Sequence, residues 1–352
     1  MGTEVNIDNP DLCPELIGKI DGAWEEKVGA EKPRPYLGIS IIGHPCRRYL
    51  FLNFRWVCPE DKPGRLYRLF DMGHREEDVA VANLRMAGVD IRNTGDDQLD
   101  IDFGCHVKGH PDGWILSGVP GAMNTEHIWE HKTANDTEFK KLQRSQSVKE
   151  TKPEHYAQMQ CGMLGSKLVL GHTVDRALYQ VLNKNTSEIY MQRVRLDKDF
   201  ATELIERGQQ ICTEEHLPAG LSTNPAWEIC KRCSYWNFCF LSHETTTVTC
   251  RNCAHSTPTK DGKWTCSYFD GAEIPVDAQY NGCDAHCFHP DLVPWELDAS
   301  RSTMFSGYYW IDKGRGIGYL NGFDGIKSKD LLERLKYDRA KGLSEESDNI
   351  TF

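Results

Sequence analysis

The stretch from His106 to Lys132 constrains this chain more than any other: H-V-K-G-H-P-D-G-W-I-L-S-G-V-P-G-A-M-N-T-E-H-I-W-E-H-K. Asp112 sits between a proline and a glycine at the end of a strand-like run. A turn rich in glycine and proline follows, Ser117 to Gly121. A second strand-like run, Glu126 to Trp129, delivers Glu130 and Lys132, two apart and therefore on one face of a strand. Such a hairpin brings Asp112 close to Glu130. Two carboxylates in one polar pocket repel each other unless a hard cation lies between them, and oxygen ligands of this kind suit Mg²⁺ or Mn²⁺. Lys132 beside them can orient a water and steady negative charge on a phosphate. These are the parts needed for metal-assisted hydrolysis of a phosphodiester. The competing reading is a solvated hairpin with surface charges.

A chain of 352 residues, 39% of them apolar, can bury one large domain plus an appendage, or two domains. No run of about 18 apolar residues is present, so no transmembrane helix is expected. The N-terminus lacks a basic and then apolar leader, and Asn6 after Met1-Gly2 is a poor match for myristoylation. The expected location is the cytoplasm, with no membrane partner. In that compartment the 14 cysteines argue for metal rather than disulfides. The net charge of −11 counts mildly against a nucleic-acid partner, although a local basic groove can coexist with it.

Along the chain, residues 1–35 read as a polar arm with one helix near Leu16 to Val28. From Tyr36 the pattern sharpens, with Ser40 a candidate helix cap. Residues 66–88 predict a helix whose apolar face is Leu69, Val79, Ala80, Leu84 and Met86. Residues 97–132 predict the strand hairpin. Asp136 to Gln146 and Pro153 to Leu170 predict helices. Arg176 to Leu182 and Glu188 to Arg195 predict strands, and Asp197 to Cys212 a further helix. This order predicts a mixed α/β core over 36–242. Ser242 to Thr249 reads as a polar linker, 250–290 as a small metal-binding module, and 291–352 as a tail that closes on a charged helix near Ser328 to Tyr337.

In the module, Cys250-x-x-Cys253, then Cys266 and Cys283, has zinc-site character. Cys283 is the chosen fourth ligand, and Cys287, His286 and His289 are its rivals. A segment with so little core of its own is expected to fold around one Zn²⁺, separately from the rest.

Pro111-Asp112 followed by Glu130-x-Lys132 resembles the motif of the PD-(D/E)XK nucleases. Gly73-x-x-x-Glu77 resembles the motif that precedes it in that family, with His74 the second choice. Gln158 resembles the glutamine of the Q-x-x-x-Y motif of RecB-like nucleases. Position 162 is glycine rather than tyrosine, Tyr156 is a substitute, and Gln160 is an alternative to Gln158. Cys230-x-x-Cys233-x-x-x-x-x-Cys239, with Cys46 upstream, resembles the cysteines of the CRISPR-associated and AddAB-type iron–sulfur nucleases. Thiolates suit iron–sulfur clusters and zinc alike, and Cys58 rivals Cys46. The resemblance spans residues 36–240. It implies a restriction-endonuclease-like mixed sheet flanked by helices, a [4Fe-4S] cluster on those four cysteines, and exonuclease activity on DNA ends or single strands. It further implies a Mg²⁺ or Mn²⁺ held by Glu77, Asp112, Glu130 and the carbonyl of His131, with Lys132 at the attacking water and Gln158 at the substrate. The implied setting is recombination or repair in a phage or bacterium, alongside a recombination or single-strand-annealing protein. A structure-selective endonuclease, or a DNA-binding assembly subunit without cleavage, are the rival functions.

Overall fold

The computed structural model describes residues 13–29, 31–58 and 62–336. Its centre is a five-stranded sheet with the spatial order 90–92, 113–117, 127–134, 176–183, 189–195. Neighbouring strands are antiparallel except for 127–134 and 176–183, which run parallel. A parallel pair needs a crossover. Here it is made by the helices Asp136–Ser145, Val148–Thr151 and Pro153–Leu170. Their limits are written in the sequence. The Asn135 side chain caps the first helix through the Glu138 N–H. Pro153 opens the third at a position where its missing N–H costs nothing, and Gly171 ends it with a φ of 78°.

The two faces of the sheet carry different clusters. Ile128, Ala177, Tyr179 and Val181 pack with Met159 and Met163 of the Pro153–Leu170 helix. Ile115, Trp129 and Leu178 pack with Ala80, Val81 and Leu84 of the Gly64–Met86 helix. The buried stripe of that helix differs from the expected one. Val79 is 50% exposed and Met86 83%, whereas Val81 is buried. Spacing alone left the phase of the stripe open by two residues.

The segment 97–132 is not one hairpin. Val107–Gly109 belongs to a separate three-stranded sheet, parallel to Leu37–Gly38 and antiparallel to Ile101–Asp102. The hairpin proper pairs Gly113–Ser117 with His127–Ala134. Gly118, at φ 97° in its turn, lies so near the Gly88 carbonyl that a Cβ would stand 2.7 Å from that oxygen. Ser40 lies inside the short Ile39–Ile42 helix, whose N-cap is Gly38. The Pro14–Gly29 helix buries no side chain. It is tied to the Gly64–Met86 helix by the Gly64 N–H donating to Glu25 Oε1 at 2.8 Å and by an Arg68–Asp21 ion pair.

The C-terminal third contains two small antiparallel sheets, 256–258/264–266/272–273 and 296–297/306–312/317–322. The polar linker does not separate them from the rest, contrary to expectation. Trp264, Ile274 and Leu292 lie in one cluster with Leu37, Phe51 and Phe54. Arg251 is 1% exposed, and its guanidinium donates to the Phe54 carbonyl at 2.9 Å, the Pro35 carbonyl at 2.7 Å and Gln279 Oε1. The hydroxyls of Thr245 and Thr247 donate to the Val57 and Trp56 carbonyls. A buried guanidinium must have its donors satisfied, and here two backbone oxygens of the N-terminal half do so together with the Gln279 side chain. The expected helix near Ser328 to Tyr337 is present over 328–336, and its remaining residue lies outside the described residues.

Candidate active site

Asp112 occupies the point where the chain leaves the small sheet and enters the central one. It is 8% exposed, and its Oδ2 accepts the His131 backbone N–H at 2.8 Å. Lys132 Nζ stands 3.5 Å from the same oxygen and forms an ion pair with Glu130 Oε1. Glu130 is 1% exposed, sealed beneath that ammonium. Strand alternation places Glu130 and Lys132 on the face toward the Pro153–Leu170 helix and His131 on the other. There its ring lies on Trp129, centroids 5.5 Å apart.

Glu77 reaches the same cleft from the Gly64–Met86 helix and accepts a 3.3 Å hydrogen bond from Gln98. His74, one residue beyond Gly73, also lines the cleft. Burial, and then the charge of Asp112, push Glu130 up to about 8 and Glu77 up to about 7. Burial would depress Lys132, but Asp112 and Glu130 override it and hold the ammonium well above the usual lysine range. The lysine is thus the cation that balances two desolvated acids. The Lys132 ammonium is the cation that faces Glu130 Oε1 in this buried position. A divalent cation suits such an oxygen set, and Asp112, Glu130 and Glu77 are the side chains that would hold it.

The cleft measures about 970 Å³ and its wall also includes Arg34, Lys108, His155, Gln158 and Lys184. Gln158 and Gln160 are separated by their contacts. Gln160 is fully buried and spans the Arg195 carbonyl and the Asp197 N–H, a structural tie. Gln158 is the one on the cleft wall. Tyr156 packs on Phe200 in the core, away from the cleft, so it does not replace the missing tyrosine. His155 belongs to none of the motifs in the sequence. Its Nδ1 lies 2.6 Å from the Tyr179 hydroxyl, and burial lowers its pKa to about 3, so the ring is neutral. Its spacing of three from Gln158 on one helix face was the available signal. Of the basic residues near the motif in sequence, Arg75, Lys140 and Lys141 are tied to helical carboxylates and Arg47 to Glu214. Lys108 lies on the cleft wall but is paired with Asp102.

Cys46 caps the Arg47–Phe54 helix, and the fold brings it to one cavity with Cys230, Cys233 and Cys239, 184 to 193 residues later. The Cys233 N–H donates to the Cys230 carbonyl at 2.9 Å, closing a tight turn between the two cysteines. Burial raises the Cys233 thiol to about 11. Four soft donors in one cavity fit an iron–sulfur cluster or zinc. Cys58 lies near Cys239 but outside that cavity wall. Cys250, Cys253, Cys266 and Cys283 line a second cavity. Among the described residues, no three His, Cys, Asp or Glu side chains converge closely enough to hold an ion as they stand. Nor is any helix among them long and apolar enough to cross a membrane.

No protein-family model matches the chain, and no curated protein matches it in sequence. Among solved structures, LHK-Exo in complex with dAMP is similar at a TM-score of 0.36 and 15% identity, over 54% of this chain and 90% of that one. Another structure of this alkaline exonuclease, from Laribacter hongkongensis, gives 0.35 and 14% over the same shares. The crystal structure of SSO0001 gives 0.35 and 14%, over 65% of this chain and 96% of the other. Superpositions this loose assign neither family nor activity.

Proposed function

We propose that the chain is a Mg²⁺- or Mn²⁺-dependent DNA exonuclease built on a restriction-endonuclease-like core. The observation that carries this reading is the assembly of Asp112, Lys132 and Glu77 on one polar cleft, with Glu130 sealed directly beneath the Lys132 ammonium. Two desolvated acids sharing one ammonium are costly to bury, and a surface hairpin has no reason to build them. A bound divalent ion would supply Lewis-acid stabilisation of the phosphate and of the leaving oxygen. The chain's own residues do the rest. Asp112 is held in place by the His131 N–H, so its free oxygen has a fixed direction. Lys132 keeps its proton, so it orients the water and neutralises developing charge rather than acting as a base. Gln158 and neutral His155 offer donors to the phosphate or sugar of the bound strand. Arg34 and Lys184 add positive charge on the wall of a cleft that is otherwise rich in acids.

The reading includes a [4Fe-4S] cluster on Cys46, Cys230, Cys233 and Cys239, a cytoplasmic location, and service to recombination or repair with a single-strand-annealing partner. Support for the cluster is the shared cavity, which joins the start of the core to its end. The deciding experiment incubates the full chain with end-labelled linear DNA and with closed circular DNA, with and without Mn²⁺. Mononucleotide release from linear DNA alone is expected, and D112A should show none. Nicking of the circle points to an endonuclease. No cleavage of either by the wild-type chain with Mn²⁺ would leave a DNA-binding assembly role.

A further inference from the structure

The second cysteine set carries a conclusion that does not depend on the nuclease reading. We infer that Cys250, Cys253, Cys266 and Cys283 form a structural Zn²⁺ site, and that this site pins Trp264 and Arg251 into the core behind the candidate active site. Three chain segments bring the four sulfurs to one cavity of about 500 Å³. The Cys253 N–H donates to the Cys250 carbonyl at 3.2 Å, the same turn as in the first set. Cys250 Sγ lies 3.3 Å from the carbonyl of Asn281, two residues before Cys283, so the first and last segments already touch. The rival ligands are engaged elsewhere. Cys287 Sγ accepts the Gly307 N–H at 3.3 Å and lies 3.7 Å from the Tyr309 hydroxyl, off the cavity wall. His286 uses Nδ1 on Ser328 and Nε2 on the Thr249 carbonyl and Asn252. His289 Nδ1 accepts the Asp291 N–H, and His255 is held between Ser267 and the Phe305 carbonyl. That leaves four thiols, a set that suits tetrahedral zinc, and each gives its proton to solvent on binding.

The ligand segments also furnish core residues. Arg251 lies between two of the cysteines, and its guanidinium stands 4.1 Å from the Trp56 ring and 4.8 Å from Trp264. Trp264, two residues before Cys266, packs against Phe54 and against His106, centroids 5.4 and 6.0 Å away. His106 opens the Val107–Gly109 strand that leads to Asp112, and its carbonyl accepts the Leu37 N–H. Zinc at the four sulfurs would therefore brace the segment that positions Asp112, at a distance from the cleft.

Metal analysis of the intact chain, purified without added metal, tests this. About one zinc per chain is expected, resistant to EDTA dialysis and released by a mercurial that titrates the thiols. C283S should weaken zinc retention by at least about tenfold, whereas C287S should retain it. If C283S fails to fold, the wild-type chain decides. Stripping zinc with a picolylamine chelator should lower its melting temperature by several degrees, and Zn²⁺ but not Mg²⁺ should restore it. Zinc below about a tenth of an equivalent, iron in its place in a C230S chain, or loss of zinc in C287S with retention in C283S overturns the site.

Discussion

Glu130 and Glu77 are the site carboxyls whose protonation couples to folding in the metal-free protein. Both carboxyls hold protons in the folded chain, up to about 8 and about 7, that they release near 4.5 when unfolded. At these two groups the folded state binds more protons than the unfolded one between those limits. The contribution of these two carboxyls to stability therefore falls as pH rises through that window. The desolvated imidazoles of His44, His106, His131 and His155, held down to about 3 to 4, contribute stability that grows as pH rises toward 6.5. Lys132 does not offset the slope, because its stabilising charge is present in both states below the ordinary lysine range. Glu130→Gln should thus raise the stability of the metal-free chain by roughly 1–3 kcal/mol at pH 8, with the gain fading by pH 4.5 and hydrolysis abolished. Chemical denaturation at several pH values checks this, and a gain that does not vary with pH contradicts it. Lys132→Met has the opposite sign. It strands two buried acids, so it should cost roughly 2–4 kcal/mol at pH 8 and much less at pH 5.

Among the elements, the Pro153–Leu170 helix is the one on which the site leans. It is buried on nearly every side because the central sheet and the Ile39–Ile42 and Lys198–Cys212 helices surround it. Met159 is fully buried against Tyr179 and Val181, behind the strand that carries Lys132. Met159→Ala should cost about 2–4 kcal/mol in urea unfolding, with little change in the slope. Gln158→Ala and His155→Phe, one turn of the same helix, should leave the fold stable. Q158A should lower turnover on DNA by about 10- to 100-fold, since a lost contact to the substrate weakens the transition state by one or two powers of ten. A Q158A chain with wild-type turnover removes Gln158 from the site.

At the scale of the molecule, the C-terminal third and the N-terminal half share one core. The buried Arg251 has its donors met by the Phe54 and Pro35 carbonyls, and Trp264 closes over Phe54. Truncation after Ser242 would uncover Leu37, Phe54 and Trp56 at once. The truncated chain should be insoluble or molten, not a free nuclease. Trp264→Ala in the full chain should cost about 3–5 kcal/mol and lower DNA cleavage along with stability. A soluble, cooperatively melting 1–242 fragment would show that the two parts fold apart.

The sequence by itself determined the local chemistry and those element limits that a cap, a proline or a glycine marks. Asn135, Pro153 and Gly171 mark their helix ends because capping is decided within one turn. Asp112, Glu130 and Lys132 were legible because strand alternation fixes which neighbours share a face. Tertiary structure decided what depends on contacts between distant segments. The buried stripe of the Gly64–Met86 helix turns on Val81 rather than Val79. Gln160 serves the fold while Gln158 faces the cleft. Cys46 meets Cys230 across 184 residues of chain, and Arg251 finds its acceptors on another part of the chain. Which side of an element is buried, and which polar group is satisfied there, is a property of the neighbours that arrive. No spacing along one segment records them.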